Sequence, residues 1–96
     1  MTMPPATIHT ERKRIPGTID VTLIPPRKKG GVYEYRIIFT AKGYYPDLSR
    51  RDVTLEIGGN RMPAHPQLLG NPGRSKTQVG IYVEPEYLKY FQEFTR

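Results

Sequence analysis

The chain contains no cysteine, no tryptophan, and only two histidines, His9 and His65, among its 96 residues. Without cysteine there is neither a disulfide nor a thiolate metal site to hold a small core, and the redox environment leaves no trace. Two distant histidines and scattered carboxylates offer no tight zinc spacing, so no metal and no cofactor is expected. Ser49 and Ser75 are the only serines, and neither histidine has a sequence neighbour that suggests an orienting carboxylate, which argues against a nucleophile–base–acid set. No glycine-rich phosphate loop joins a strand to a helix, because Gly30-Gly31 and Gly58-Gly59 belong to hairpins. No apolar run approaches the roughly 20 residues of a membrane span. Met1-Thr2-Met3-Pro4-Pro5 also lacks the charged and then apolar stretch of a secretory leader. These absences lead us to expect a non-catalytic cytoplasmic protein (in the host cell, if it is viral) without a membrane partner.

Positive charge, by contrast, is plentiful. Fifteen Lys and Arg face nine Asp and Glu, a net charge of +6, with a pI near 9.8. Such an imbalance concentrates anionic partners around a protein and speeds encounter with them, while saying nothing about its fold. The length suits one domain, which at this size buries roughly 60–70% of its unfolded surface.

Alternating apolar and polar residues mark the strands, since successive side chains point to opposite faces. Ile19, Val21 and Leu23 share one face of a first strand over 18–24, ended by Pro25 and Pro26. The longest strand covers 32–42, with Tyr33, Tyr35, Ile37, Phe39 and Ala41 on one face. Its second face is mixed rather than polar, which calls for a cover. Val53, Leu55 and Ile57 alternate over 52–57, and Gly58-Gly59-Asn60 signals a tight hairpin returning the chain over 61–64. Pro63 and Pro66 confine that short strand to a sheet edge, followed by a loop over 66–76. The last strand spans 77–83. Pro85 then suits the first turn of a helix over 85–95, with Tyr87, Leu88, Phe91 and Phe94 recurring on one side. Residues 1–17, broken by Pro4, Pro5 and Pro16 and charged at 11–14, read as a flexible basic arm.

The expected fold is therefore α+β: residues 18–96 form a small, twisted, mainly antiparallel sheet of four or five strands, open or barrel-like, with one C-terminal helix against it. In outline this pattern is similar to SH3-like barrels in its third-to-fourth hairpin. It is also similar to the OB-fold in its long second strand and basic loops, although that fold places its helix between strands. Neither similarity carries a residue motif or transfers a site.

Alternating strand directions collect the charge. Arg14, Lys42, Arg50, Arg51, Arg74 and Lys76 fall at one end of the sheet together with Tyr44 and Tyr45. Arg27, Lys28, Lys29 and Arg61 fall at the other. Cations supply salt-dependent affinity for phosphate, and tyrosine faces give bases a stacking surface. These twelve residues are the candidate contacts to nucleic acid or a nucleoprotein complex. The alternative is a protein-directed inhibitor or adaptor for a target with an acidic surface, since Tyr and Arg are also interface residues and the chain holds seven tyrosines. Small phage-encoded inhibitors of host defence enzymes are similar in size and composition. An exposed strand edge would give such a protein a second docking mode. Two nuclease arrangements are the catalytic alternatives: Asp20 with Glu34 and Arg36 on neighbouring strands, and His65 with Arg61 and Glu56 around a phosphate. Cross-strand charge pairing accounts for both without catalysis.

Overall fold

The alternation seen in the sequence closes on itself. In the computed structural model, which describes residues 4–31, 34–48, 52–69 and 74–94, six antiparallel strands form a closed barrel in the order β1-β2-β3-β6-β5-β4. The strands are β1 (Pro5–His9), β2 (Arg14–Ile24), β3 (Glu34–Lys42), β4 (Val53–Ile57), β5 (Asn60–Leu68) and β6 (Lys76–Tyr82). Among the described residues no helix is long and apolar enough to cross a membrane.

One face of every strand fills the interior. Ile8, Ile15, Ile19, Val21, Ile37, Phe39, Leu55, Met62, Val79 and Ile81 are buried there. A barrel this narrow has room only for its own side chains. It is accordingly lined with small residues, Ala6, Ala41 and Ala64, between the large ones.

Three expectations change. The segment read as an arm is, from residue 5 onward, β1, a hairpin and the start of β2. Ala6 and Ile8 point into the core, and β1 pairs with β2 on one side and β4 on the other. Thr10 builds the turn, its backbone N–H donating to Lys13 O (2.8 Å) and its hydroxyl accepting from Lys13 N (3.0 Å), a local side-chain bond that favours a turn.

The strand expected at 61–64 instead spans 60–68 and is no sheet edge. Residues 60–64 pair with β4 and residues 65–68 with β6. Pro63 and Pro66 thus each sit in a half of β5 with one paired neighbour, where a missing N–H can face the open side. Closure leaves no strand with a free edge along its whole length, and the stretches without a second neighbour include the short halves of β5 and the start of β3.

The third change is the C-terminal helix. Two 3-10 segments, Pro85–Tyr90 and Gln92–Phe94, take its place. Their bonds run from Tyr87 N to Glu84 O, Phe91 N to Leu88 O and Phe94 N to Phe91 O. The anchors Leu88, Phe91 and Phe94 recur every third residue, the period of a 3-10 rather than an α-helix. Phe91 enters the core and Phe94 lies beside Gly58, so the segment closes the end of the barrel rather than covering a sheet face.

Gly58 and Gly59 have φ of +58° and +84°, the positive pair that a two-residue turn between Ile57 and Asn60 demands.

Candidate nucleic-acid interface

Antiparallel pairing fixes which loops share an end, whatever the strand order. The β1–β2 hairpin, the β3–β4 loop and the β5–β6 loop meet at one end, which we call the rim. Arg14 opens β2, Lys42 closes β3 and Lys76 opens β6, with Lys42 directly opposite Lys76. Arg74 precedes β6. The hairpin adds exposed Arg12 and Lys13, which the sequence reading had left in the arm. The signal for them was the Ala6–His9 alternation running into a turn. Glu11, Asp47 and Asp52 are interspersed but fewer.

The two rim tyrosines differ. Gly43, at φ +113°, turns the chain out of β3, and its N–H donates to Ser75 O at 3.0 Å. Thr77, buried in β6, then ties the loop down. Its hydroxyl donates to Gly43 O (2.9 Å) and accepts from Tyr45 N (3.0 Å). Tyr45 is thereby held half-buried against the core, with Lys13 Nζ 5.9 Å from its ring centroid, within cation–π range. Tyr44 is left 58% exposed. Leu48 is buried and anchors the far side of the loop. Between hairpin and loop lies an open cleft of about 570 Å³, lined by both basic and acidic side chains.

Other candidates lie elsewhere. Arg27, Lys28 and Lys29 are exposed on the β2–β3 loop at the far end of the barrel. Arg61 is on the outer wall, its Nε 3.5 Å from Glu56 Oε1. Arg50 and Arg51 lie outside the described residues, as do residues 1–3 and Val32 and Tyr33, with which the strand expected over 32–42 was to begin.

The structure separates both nuclease arrangements. Asp20 faces Ile38 across the β2–β3 ladder while Glu34 faces Ile24, which puts the carboxylates about 13 Å apart along the strands. His65 lies four residues from Arg61 on β5, a similar separation, and donates from Nδ1 to Asp52 Oδ1 at 2.6 Å. His9 is the histidine that reaches Glu56, donating from Nε2 to Oε1 at 2.7 Å. Among the described residues no three His, Asp or Glu side chains converge as metal ligands.

The Glu56 cluster joins β1, β4 and β5 and makes a testable contribution to stability. The His9 hydrogen bond holds the Glu56 carboxyl below its ordinary pKa against an opposing push from burial, with the charges of Arg61, His9 and Arg14 assisting. A carboxyl whose pKa falls on folding adds stability above its unfolded pKa and loses it as pH drops through the folded value. Glu56→Gln should therefore be less stable than the parent at neutral pH, with the gap closing in acid. Urea midpoints between pH 7 and 3 check this, and a gap that stays constant would assign the effect to packing alone.

Compared with protein-family models, curated proteins and solved structures, the chain matches none.

Proposed function

We propose that this protein is a non-catalytic binder of nucleic acid, alone or in a nucleoprotein complex, and that it engages phosphates and bases with the rim. One observation carries the reading: Arg12, Lys13, Arg14, Lys42, Arg74 and Lys76 all lie at the rim end of the barrel, and Arg12 and Lys13 line one cleft with the exposed Tyr44. Phosphates take their affinity from such cations, and an exposed tyrosine held by a rigid loop gives a base a stacking face. The Thr77 clamp supports this role, because a platform fixed in advance loses less freedom on binding.

The adjoining cleft supports a second reading. Its lining mixes Glu11, Asp47 and Asp52 with Arg12 and Lys13, which suits a loop of a protein target better than a bare phosphate chain. Salt dependence separates the two, because phosphate binding weakens steeply with ionic strength.

The decisive measurement is a titration of labelled single- and double-stranded DNA and RNA between 50 and 200 mM salt, roughly the range over which counterion release is read. For the double variant Lys42→Ala/Lys76→Ala, the slope of log K against log salt on single strands should become shallower by about 1.4, the worth of two phosphate contacts. Affinity at the low-salt end should fall by about ten- to a hundredfold. If the parent binds no nucleic acid even at low salt, the protein-directed reading remains.

A further inference from the structure

We propose that the outer face shared by β3 and β6 forms a track along which a single-stranded nucleic acid runs from the rim to Tyr82, a second base-stacking platform. The proposal rests on the rim reading and extends it down the barrel wall.

The pairing sets the path. Lys42 faces Lys76, then Thr40 faces Gln78, then Ile38 faces Gly80, and all six project outward because the intervening residues, Phe39, Ala41, Thr77 and Val79, fill the interior. The chemistry changes step by step along this ladder. Two cations stand at the top. Below them Gln78 Nε2 donates to Thr40 Oγ1 at 3.4 Å, a long bond between two groups that can turn to a sugar or a base edge. Gly80 follows without a side chain, so the wall dips where its neighbours would otherwise stand proud. The Leu69 side chain borders this dip, 3.6 Å from where a Gly80 Cβ would lie. Tyr82 closes the path. It is 62% exposed, more than Ile24, Tyr44 or Leu69, the other exposed large apolar side chains among the described residues.

An outward aromatic at the end of a strand, with a cation beside it, is what a stacking platform requires. Arg36 supplies the cation. It lies two residues beyond Ile38 on the same outer face of β3, just past the last β3–β6 pair, Ile38–Gly80. Past these two, Glu34 and Glu84 are exposed and present the wrong sign for phosphate, so they mark the lower limit of the track. From Lys76 to Tyr82 the strand covers about 20 Å at 3.3 Å per residue. A strand that keeps the stacked rise of about 3.4 Å per nucleotide found in a duplex places about six nucleotides on this path, within the site sizes of single-strand-binding barrels.

A protein partner fits this face less well. Its apolar groups, Ile38, Leu69 and Tyr82, border the single bare position at Gly80 and make a patch too small for a stable protein interface, whereas the lysine pair and the Gln78–Thr40 step above it match a phosphate chain.

The test is a fluorescence-anisotropy titration of labelled oligothymidylates about three, six and twelve nucleotides long at low salt, lengths chosen around the site size above, against the parent, Tyr82→Ala and Tyr82→Phe. Tyr82→Ala should weaken the two longer oligomers by about 5- to 150-fold. It should leave the shortest, which cannot reach from rim to Tyr82, unchanged. The salt slope should also stay unchanged, because no charge is removed. Tyr82→Phe should bind like the parent, since it keeps the ring. Urea midpoints equal to the parent's should accompany both variants, because an exposed side chain contributes little to the core. If Tyr82→Ala binds the longest oligomer as tightly as the parent while Lys42→Ala/Lys76→Ala still weakens it, the track is wrong and the rim reading stands. If the parent binds none of these oligomers or any other nucleic acid, both fall together.

Discussion

Phe91→Ala should destabilise the fold by about 3–5 kcal/mol, as removal of a fully buried aromatic does. Phe91 is, with Phe39, one of the two largest completely buried side chains among the described residues. It joins the two short 3-10 segments, which tertiary contacts alone can hold, because isolated turns of helix are unstable in water. Tyr87, Leu88, Tyr90 and Phe94 pack only partly against the core, so the neighbouring contacts cannot compensate for the lost ring. A domain of this size has about 5–15 kcal/mol in all, so the variant should unfold at a much lower urea midpoint and be partly unfolded on warming. Phe91→Leu, which keeps most of the volume, should cost less. The ring lies at the end of the barrel opposite the rim, and binding of the shortest oligonucleotide, which engages the rim alone, should be preserved in the folded fraction. A parental midpoint for Phe91→Ala would mean that the C-terminal segment does not close the barrel.

The regular strands were legible because their period was unbroken. Ile19–Val21, Val53–Leu55–Ile57 and Val79–Ile81 point inward as the alternation requires, Leu23 stays only half-buried near the end of β2, and Gly58-Gly59 turns as its composition demands. Antiparallel pairing fixes the parity of the loops without fixing the strand order, which is why Arg14, Lys42 and Lys76 could be assigned to one end from the sequence; Arg50 and Arg51 lie outside the described residues. Strand β1 was hidden by Pro4, Pro5 and Pro16 and by the charges at 11–14. Its Ala6–Ile8 period is short, and its pairing with β4 is a contact about fifty residues away that nothing local announces. β5 was cut short by reading Pro63 and Pro66 as edge markers, a rule that fails when a strand exchanges partners midway. At the rim, Tyr44 and Tyr45 are adjacent in sequence and differ only through Thr77, 32 residues away from Tyr45. Tyr82 carried a readable signal that was passed over: an aromatic on the otherwise wet face of a strand.

Gly17→Ala should be the most damaging small substitution on the barrel wall. Gly17 lies in β2 opposite Ala41, and the Phe39 ring packs directly over it. A Cβ there would sit 2.4 Å from Thr40 O and 2.6 Å from Phe39 Cζ, both far inside van der Waals contact. The backbone of Gly17 is not in a left-handed conformation, so alanine suits its torsions and the whole penalty is steric. Overpacking costs about 1–3 kcal/mol and sometimes more. We expect the upper end, because the closest atom is a backbone oxygen in the β2–β3 ladder and the ring is completely buried. Neither can yield without opening the sheet. The double variant Gly17→Ala/Phe39→Leu shows which obstacle dominates. If the ring does, the double variant should be more stable than the sum of the single losses predicts, by about 0.5–3 kcal/mol. If the losses simply add, the carbonyl is the barrier and the β2–β3 strands must part. Urea unfolding of the three variants distinguishes these results, and an unchanged midpoint for Gly17→Ala would refute the packing of Phe39 against β2.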